Sequence, residues 1–443
     1  MRASAQSFAA PVAAAPDIGR PRMTMRRIAL GLVWLAVASG AVVFSEPAPA
    51  DVLTMGLVIG LPLVGLVAPK GPLCLVTAIW GVCGAGALIA SSFAPDIAKS
   101  ATHTAISLYL YLAFFTYAGF VAKRPVAHTR LILSAYLCAA LVGAAAGIVG
   151  YFNLYPGAFE LLTRYGRATG TFKDANVFGP FLVPALLYTL HRALNAGMRR
   201  AIFPAIMLLF FSFAILLSFS RGAWFNATVA VVVYAYFSFV FAPGNRQRIK
   251  MILLGTLVLA AAIAMLVAAA HHDAIADLLS DRAALTQSYD EGPQGRFGGH
   301  EKAKGLILEN PLGLGALVFA SHYHHEDVHN VYLTLFLSAG WVGGLAFAAI
   351  VWLTALWGGR HAMRRTPHQA LFLIVYAAFL GNALEGFVID IDHWRHFYLE
   401  MGIIWGLMVA DRRAEDVLAA THHFAPRRRR VGRRPGGLAS AAT

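Results

Sequence analysis

Apolar runs of about 18 residues or more recur along the whole of this 443-residue chain. That is the length a helix needs to cross the hydrocarbon of a bilayer. Inside a bilayer every backbone polar group must find its partner within the protein, so such runs have to be helices packed into a bundle. The chain is 58% hydrophobic and only 13% charged, with a mean hydropathy of +0.63, which excludes a soluble domain of this size. The fold class expected is therefore all-α, a polytopic membrane helix bundle. Spans are expected at about 28–45, 51–68, 72–93, 103–122, 129–152, 174–192, 200–219, 222–242, 249–270, 329–357, 368–389 and 394–410, roughly twelve in all. Ala48-Pro-Ala50 has the look of a signal-peptidase site, but the apolar run before it is long for a signal sequence and is read as a retained first helix.

The net charge of +14 suggests nucleic acid as a partner, but its distribution argues otherwise. With the N-terminus in the cytoplasm and the spans alternating, most Lys and Arg fall in cytoplasmic segments and most Asp and Glu on the far side, as the positive-inside rule requires. The arginines are thus a topology signal, and no nucleic-acid partner is expected. Both termini are cytoplasmic on this reading: a tail at 1–27, and a basic tail at 412–443 whose run Arg427–Arg430 would touch anionic headgroups. Between them lie 28–270 with the first nine spans, a long non-cytoplasmic loop at 271–327, and 328–411 with the last three spans. Cys74, Cys83 and Cys138 all fall in apolar runs and imply no disulfide framework.

The loop 271–327 should hold two short amphipathic helices, at 273–285 and 300–308, the second ended by Pro311 and the pair Gly313 and Gly315. Loops this long usually carry function. Cations on the non-cytoplasmic side are disfavoured by topology, so those present need a reason. Arg221 sits in Ser218-Phe-Ser-Arg-Gly-Ala-Trp224 between two spans with almost no loop. An arginine so close to hydrocarbon either binds an anion or snorkels to headgroups. Arg167 and Lys173 flank a Gly/Thr-rich stretch before a helix start, a setting that suits an anion and equally suits an ordinary capped helix. Arg296 lies in Gly295-Arg-Phe-Gly-Gly299. Three arginines from three segments on one face could converge on a diphosphate, which the planar guanidinium suits.

His329 and Asn330 fall where the polar loop runs into an apolar span, which puts an imidazole base at the water–membrane boundary. Four histidines and two carboxylates within 322–329 also allow a metal-binding reading, although the spacing fits no defined ligand geometry. Glu385, in Asn382-Ala-Leu-Glu385, is an intramembrane carboxylate, functional by default or else a helix–helix hydrogen bond to Asn382 or a salt bridge to an arginine. No nucleotide-binding motif is found.

These pieces resemble the O-antigen ligase and polymerase superfamily of bacterial envelopes. His329-Asn330, nine residues, then Gly340-Trp-Val-Gly343 is similar to its His-Asn, nine residues, Gly, two residues, Gly pattern. Arg167-Ala-Thr-Gly-Thr-Phe-Lys-Asp-Ala-Asn176, Ser220-Arg-Gly-Ala223 and Asn310-Pro-Leu-Gly-Leu-Gly315 resemble its other conserved stretches. The resemblance covers roughly residues 30–410, and it implies a metal-independent, inverting glycosyltransferase of the GT-C type that needs no cofactor. The implied donor is a glycan on undecaprenyl diphosphate and the acceptor a sugar hydroxyl, with lipid A–core as the acceptor if the chain is a ligase. Carried over by position, His329 would be the catalytic base. Arg221 and Arg296, with Arg167 as a weaker third, would hold the donor diphosphate, and Asn330, Lys173 and Glu385 would support them. The implied location is the bacterial inner membrane, with the large loop and the active site in the periplasm. Ligase is favoured over O-antigen or exopolysaccharide polymerase. A membrane transporter with Arg221, Glu385 and Glu400 along its path, and a zinc-dependent enzyme, are the readings from other classes.

Overall fold

The computed structural model describes residues 23–67, 71–270, 292 and 295–424. Fourteen helices are labelled here in chain order: α1 (Met23–Ala38), α2 (Pro49–Leu63), α3 (Pro72–Ser91), α4 (Ile97–Lys123), α5 (Pro125–Tyr151), α6 (Ala158–Leu162), α7 (Ala175–Asn195), α8 (Met198–Leu217), α9 (Arg221–Val240), α10 (Asn245–Ala270), α11 (Arg296–Glu309), α12 (Val331–Ala362), α13 (Gln369–Glu385) and α14 (Arg395–Phe424). Each expected apolar run overlaps one of them. Seven of these helices, α3, α4, α5, α7, α8, α9 and α12, are long and apolar enough to cross a membrane among the described residues. α2 and α13 are apolar but shorter. The protein is thus an all-α, multi-pass membrane protein, and the count of about twelve spans remains an expectation of the sequence. The helix expected at 273–285, Lys70, residues 1–22 and residues 425–443 with Arg427–Arg430 lie outside the described residues.

The main helix pairs are α12 on α3, α14 on α4, α7 on α8 and α13 on α9. α3 and α12 meet backbone to backbone. A Cβ on Gly86 would stand 2.5 Å from the Ala339 carbonyl oxygen, and one on Gly343 would stand 3.3 Å from that of Cys83. Small residues at such crossings let helices in lipid gain close van der Waals contact. Trp80 of α3 fills the centre, stacked on Tyr111 at 4.3 Å and edge-on to Phe114 and Phe347 at 6.0 Å.

Polar ties hold other helices. Asn226 Nδ2 donates to Asn382 Oδ1 at 2.7 Å and to Glu385 Oε2 at 2.8 Å, and Asn382 Nδ2 donates to Glu400 Oε2 at 2.8 Å. This fully buried chain joins α9, α13 and α14. Of the alternatives raised for Glu385, a helix–helix hydrogen bond is the one seen, but its donor is Asn226 of α9, which also donates to Asn382. Arg395 grips Asp51 with Nε and Nη2 at 2.5 and 2.6 Å, joining α14 to α2.

α12 is not one continuous helix. Gly340 has φ 68° and ψ −176°, a conformation that is essentially glycine's alone. The break separates the Leu337 carbonyl from the Trp341 N–H, which an intact helix would pair. Both are satisfied by the turn after α11: Leu314 N donates to Leu337 O at 2.7 Å, and Trp341 N donates to Pro311 O at 2.9 Å. α11 itself begins at Arg296, four residues earlier than the expected 300, and ends at Asn310, whose Nδ2 donates to Leu306 O at 2.9 Å. Before α7, residues 153–173 form α6 and a two-residue antiparallel ribbon, β1 (Thr163–Arg164) and β2 (Arg167–Ala168).

Gly340→Ala should be strongly destabilising. The new Cβ would lie 2.7 Å from Leu312 C and Pro311 O, and the backbone conformation alone costs about 1–3 kcal/mol for a non-glycine residue. Gly31→Ala in α1, where a Cβ meets nothing within 4 Å, should be neutral or gain up to about 1 kcal/mol. Thermal unfolding of the purified protein in detergent, followed by fluorescence, checks both. Equal melting temperatures for the two variants would refute the account of the break.

Candidate functional site

The expected residues gather where α9 and α12 begin, α11 begins and α13 hands over to α14. Asn330 is the N-cap of α12, its Oδ1 accepting from Tyr332 N at 3.1 Å and Leu333 N at 3.2 Å. Asn330, expected in a supporting role, thus caps the helix directly after His329. His329 is in the left-handed region, with φ 53°, which is unusual for any residue but glycine and less so for His. The posture is held by Asp390. Its Oδ2 accepts from His329 N at 3.1 Å and its Oδ1 from Thr334 Oγ1 at 2.6 Å. Val331 N also bonds Gly386 O at 2.9 Å, so the start of α12 is fastened to the α13–α14 connection at two points.

The His329 side chain is 36% exposed, and its Nε2 lies 3.9 Å from Glu326 Oε2. Its pKa is held below the ordinary value of 6.5 by burial and by the neighbouring Arg296, against the opposing pull of Asp327, Glu326 and Asp174. His300, one turn along α11, is also held below its ordinary value, chiefly by burial, and feels both Arg296 and His329. Asp390 moves the other way: burial first, then Asp392, push its carboxyl up to about 7.

The arginines fall into two groups. Arg296 opens α11 and bonds Val388 O through Nη2, which puts it on the same α13–α14 connection that holds His329. Arg221 opens α9 after its N-cap Ser220, whose Oγ accepts from Ala223 N at 3.2 Å. It is half-buried, and a Cβ on the next residue, Gly222, would stand 2.5 Å from Glu385 Oε1. Arg167 is fastened beside it: Nε donates to Ser218 O at 2.9 Å and Nη2 to Asn176 Oδ1 at 2.7 Å, and Ser220 Oγ donates to the same Asn176 oxygen at 2.8 Å. Arg167 thus serves at least in part as a tie between β2, α7 and the α8–α9 turn, which weakens it as a free phosphate ligand. Lys173 pairs with Glu46 at 2.9 Å, and its ammonium holds that carboxyl below the usual range, partly offset by burial.

Two cavities meet at Asp390 and Asp392. One, of about 350 Å³, has an apolar wall that includes Val37, Val43, Phe172 and Phe181 and a polar rim that includes Glu46, Lys173, Asp174 and Arg395. The other, of about 80 Å³, is bordered by Asp327, Val328 and Thr334. The histidine-rich run does not assemble a metal site. His324 is buried, stacked on Phe319 at 5.7 Å, while His322 and His325 face outward. No group of three potential ligands includes any of them among the described residues.

Residues 206–348 match the family model described as O-antigen ligase. The match covers 143 of the 443 residues, and over them the chain is similar to the O-antigen ligase family. No curated protein matches it. The matched segment begins within α8 and ends within α12, so it contains Arg221, Arg296, His329 and Asn330, while Arg167, Lys173, Glu385 and Asp390 come from outside it. The domain is that of a ligase-type glycosyltransferase, and the resemblance drawn from the motifs is borne out. From the sequence Asp390 is only one of four acidic residues, with Glu385, Asp392 and Glu400, that mark the last two spans, and His300 has no site role. The only local sign of Asp390 is its place beside Asp392 at the end of an apolar run, and its contact with His329 spans 61 positions.

If Asp390 sets the posture of His329, Asp390→Ala should cut glycan transfer roughly 10- to 100-fold, the scale on which misplacing a reacting group acts. Asp390→Asn keeps an oxygen acceptor for His329 N and should retain most activity. Turnover of both variants, compared at equal folded protein, reads this. Wild-type turnover by the alanine variant would show that His329 needs no such support.

Proposed function

We propose that this O-antigen ligase-domain protein transfers a glycan from a polyprenyl diphosphate, undecaprenyl diphosphate in bacteria, to a sugar hydroxyl of lipid A–core, at a site facing the periplasm of the inner membrane. The observation that carries the reading is His329: an imidazole kept in its neutral form by burial and by Arg296, a third exposed, and fixed by its own backbone. A neutral imidazole at the mouth of a membrane protein is a general base for a hydroxyl.

His329 takes the proton of the acceptor hydroxyl. The freed oxygen forms a bond to the anomeric carbon from the face opposite the diphosphate, and the carbon–oxygen bond to the diphosphate breaks, its electron pair leaving with the phosphate. The anomeric configuration inverts. Arg221 and Arg296 neutralise the leaving diphosphate, so positively charged groups of the chain itself supply the electrostatic stabilisation. The new imidazolium is eased by Glu326 at 3.9 Å until its proton passes to water. The energy comes from the glycosyl diphosphate bond, and the step calls for no cofactor.

A strain deleted for the gene and complemented with wild type, His329→Ala or Arg221→Ala tests this through its surface glycans. Wild type should restore long-chain lipopolysaccharide, and both variants should leave it absent with lipid-linked polymer accumulating. Accumulation of short lipid-linked repeats instead would make the protein a polymerase. Normal profiles from both variants would remove the transferase mechanism and favour a transporter.

The pH dependence follows from the same histidine. A pKa below 6.5 means that the base form already prevails at neutral pH, so kcat/KM should stay level as the pH falls through 6.5 and drop only below it. Arg296→Gln removes one of the two causes of the lowered pKa, so besides weakening transfer it should move the acid limb of the profile upward, towards 6.5. An acid limb unmoved by this change would separate Arg296 from His329.

A further inference from the structure

The end of α12 away from His329 carries a cluster that glycan transfer does not use. His361 lies in the last turn of α12, His368 just before α13, and Asp411 on α14. His361 Nε2 is 3.1 Å from Asp411 Oδ2, and His368 Nε2 is 2.9 Å from the same oxygen. The two imidazoles are 7% and 4% exposed. At these distances the two rings and the carboxylate can share protons or an ion. His361 Nε2, His368 Nε2 and Asp411 Oδ2 are all buried without a hydrogen-bond partner. Ring nitrogens this close to a carboxylate oxygen, buried without a hydrogen-bond partner, are placed to share an ion with it.

We propose that His361, His368 and Asp411 bind a zinc-type divalent transition-metal ion that pins the ends of α12, α13 and α14 together. Two imidazole nitrogens and one carboxylate oxygen form a donor set for zinc and its first-row neighbours, and not for magnesium or calcium, which take oxygen. Around a tetrahedral zinc with bonds near 2.0–2.1 Å, neighbouring ligand atoms stand about 3.3 Å apart, close to the separations found here. The three ligand atoms all lie within 4.8 Å of one another. Two of the neighbouring cations are turned elsewhere: Arg412 over the Trp357 ring at 5.8 Å and Arg365 over Phe241 at 6.0 Å. A second trio, His103, Asp392 and His393, has similar spacing. There, His393 Nε2 is already bonded to Ser107 Oγ at 2.9 Å and the two rings stack at 3.9 Å, so it has less need of an ion.

The test uses full-length protein in detergent, purified through a histidine-free tag in chelator-free buffer. Metal content is measured by mass spectrometry, and cobalt(II) is titrated while its visible d–d absorption is followed. The variants are His361→Gln, His368→Gln and Asp411→Asn. His322→Ala with His325→Ala is the control for adventitious binding by exposed loop histidines. Wild type and the loop control should each hold about one ion per chain and melt at a lower temperature after chelation. The three ligand variants should hold none above background and be insensitive to chelator. The proposal is overturned if wild type binds neither zinc nor cobalt, which would leave the trio as a proton-sharing clamp, or if the ion is lost in the loop control instead. Should the ligand variants fail to accumulate, the cobalt spectrum of wild type against the loop control decides by its presence or absence.

Discussion

The break in α12 at Gly340 is the constraint on which the active end depends. A helix interrupted inside a bilayer must find new partners for the backbone groups it releases, because lipid offers none. Here the released pair, Leu337 O and Trp341 N, is taken up by the turn 311–314, and Trp341 Nε1 adds a bond to Ile307 O at 2.7 Å. One glycine conformation thereby docks the whole of α11 against α12. The consequence is geometric: Arg296 at the start of α11 and His329 before the start of α12 become fixed with respect to each other. The Gly-x-x-Gly part of the motif and the Pro-Leu-Gly-Leu-Gly turn are two halves of one joint, since a Cβ on Gly313 would stand 2.7 Å from Gly340 N. Gly343 belongs to a different contact, the close crossing with α3.

On that frame the electrostatics are arranged around His329, which the proposed role as a base requires to be neutral. Carboxylates crowd the region, and left alone they would stabilise the imidazolium. Burial and the Arg296 charge outweigh them. Asp390, the carboxylate bonded to the His329 backbone, is itself pushed up to about 7, so near neutral pH it is in part a neutral acid and adds less negative charge than its type suggests. Its two bonds to His329 N and Thr334 Oγ1 act through geometry, holding a left-handed residue that would otherwise relax.

What was legible in the sequence was what local pattern determines. The apolar runs specify helices by length alone, and each one overlaps a helix. The start of α12 beside His329 and Asn330, the end of α11 before Pro311 and the place of Arg221 in the short turn between two spans follow from residues adjacent in the chain. The illegible part rests on tertiary contact. Nothing near Arg167 announces that Ser218 O and Asn176 will occupy its guanidinium, so a cation that reads as a phosphate ligand is also a structural tie. Nothing near Asp390 announces His329. The histidine run misleads for the same reason: adjacency in sequence is not convergence in space, and α11 packs against His324 while its neighbours point outward.

The buried polar chain through Glu385, Asn226, Asn382 and Glu400 links these levels. Hydrogen bonds between side chains in the membrane are worth about 0.6 kcal/mol on average and at most about 2, so four such residues add little stability for the desolvation they incur. Their value is directional. They set the register of α13 against α9 and α14, and α13 ends at Glu385, from which the chain runs directly to Gly386, Val388 and Asp390, the three positions that hold Val331, Arg296 and His329. A slip of α13 by one residue would move all three anchors together. In the proposed site Glu385 would act from inside the bundle, by fixing where the α13–α14 connection begins and by lying against the turn that carries Arg221.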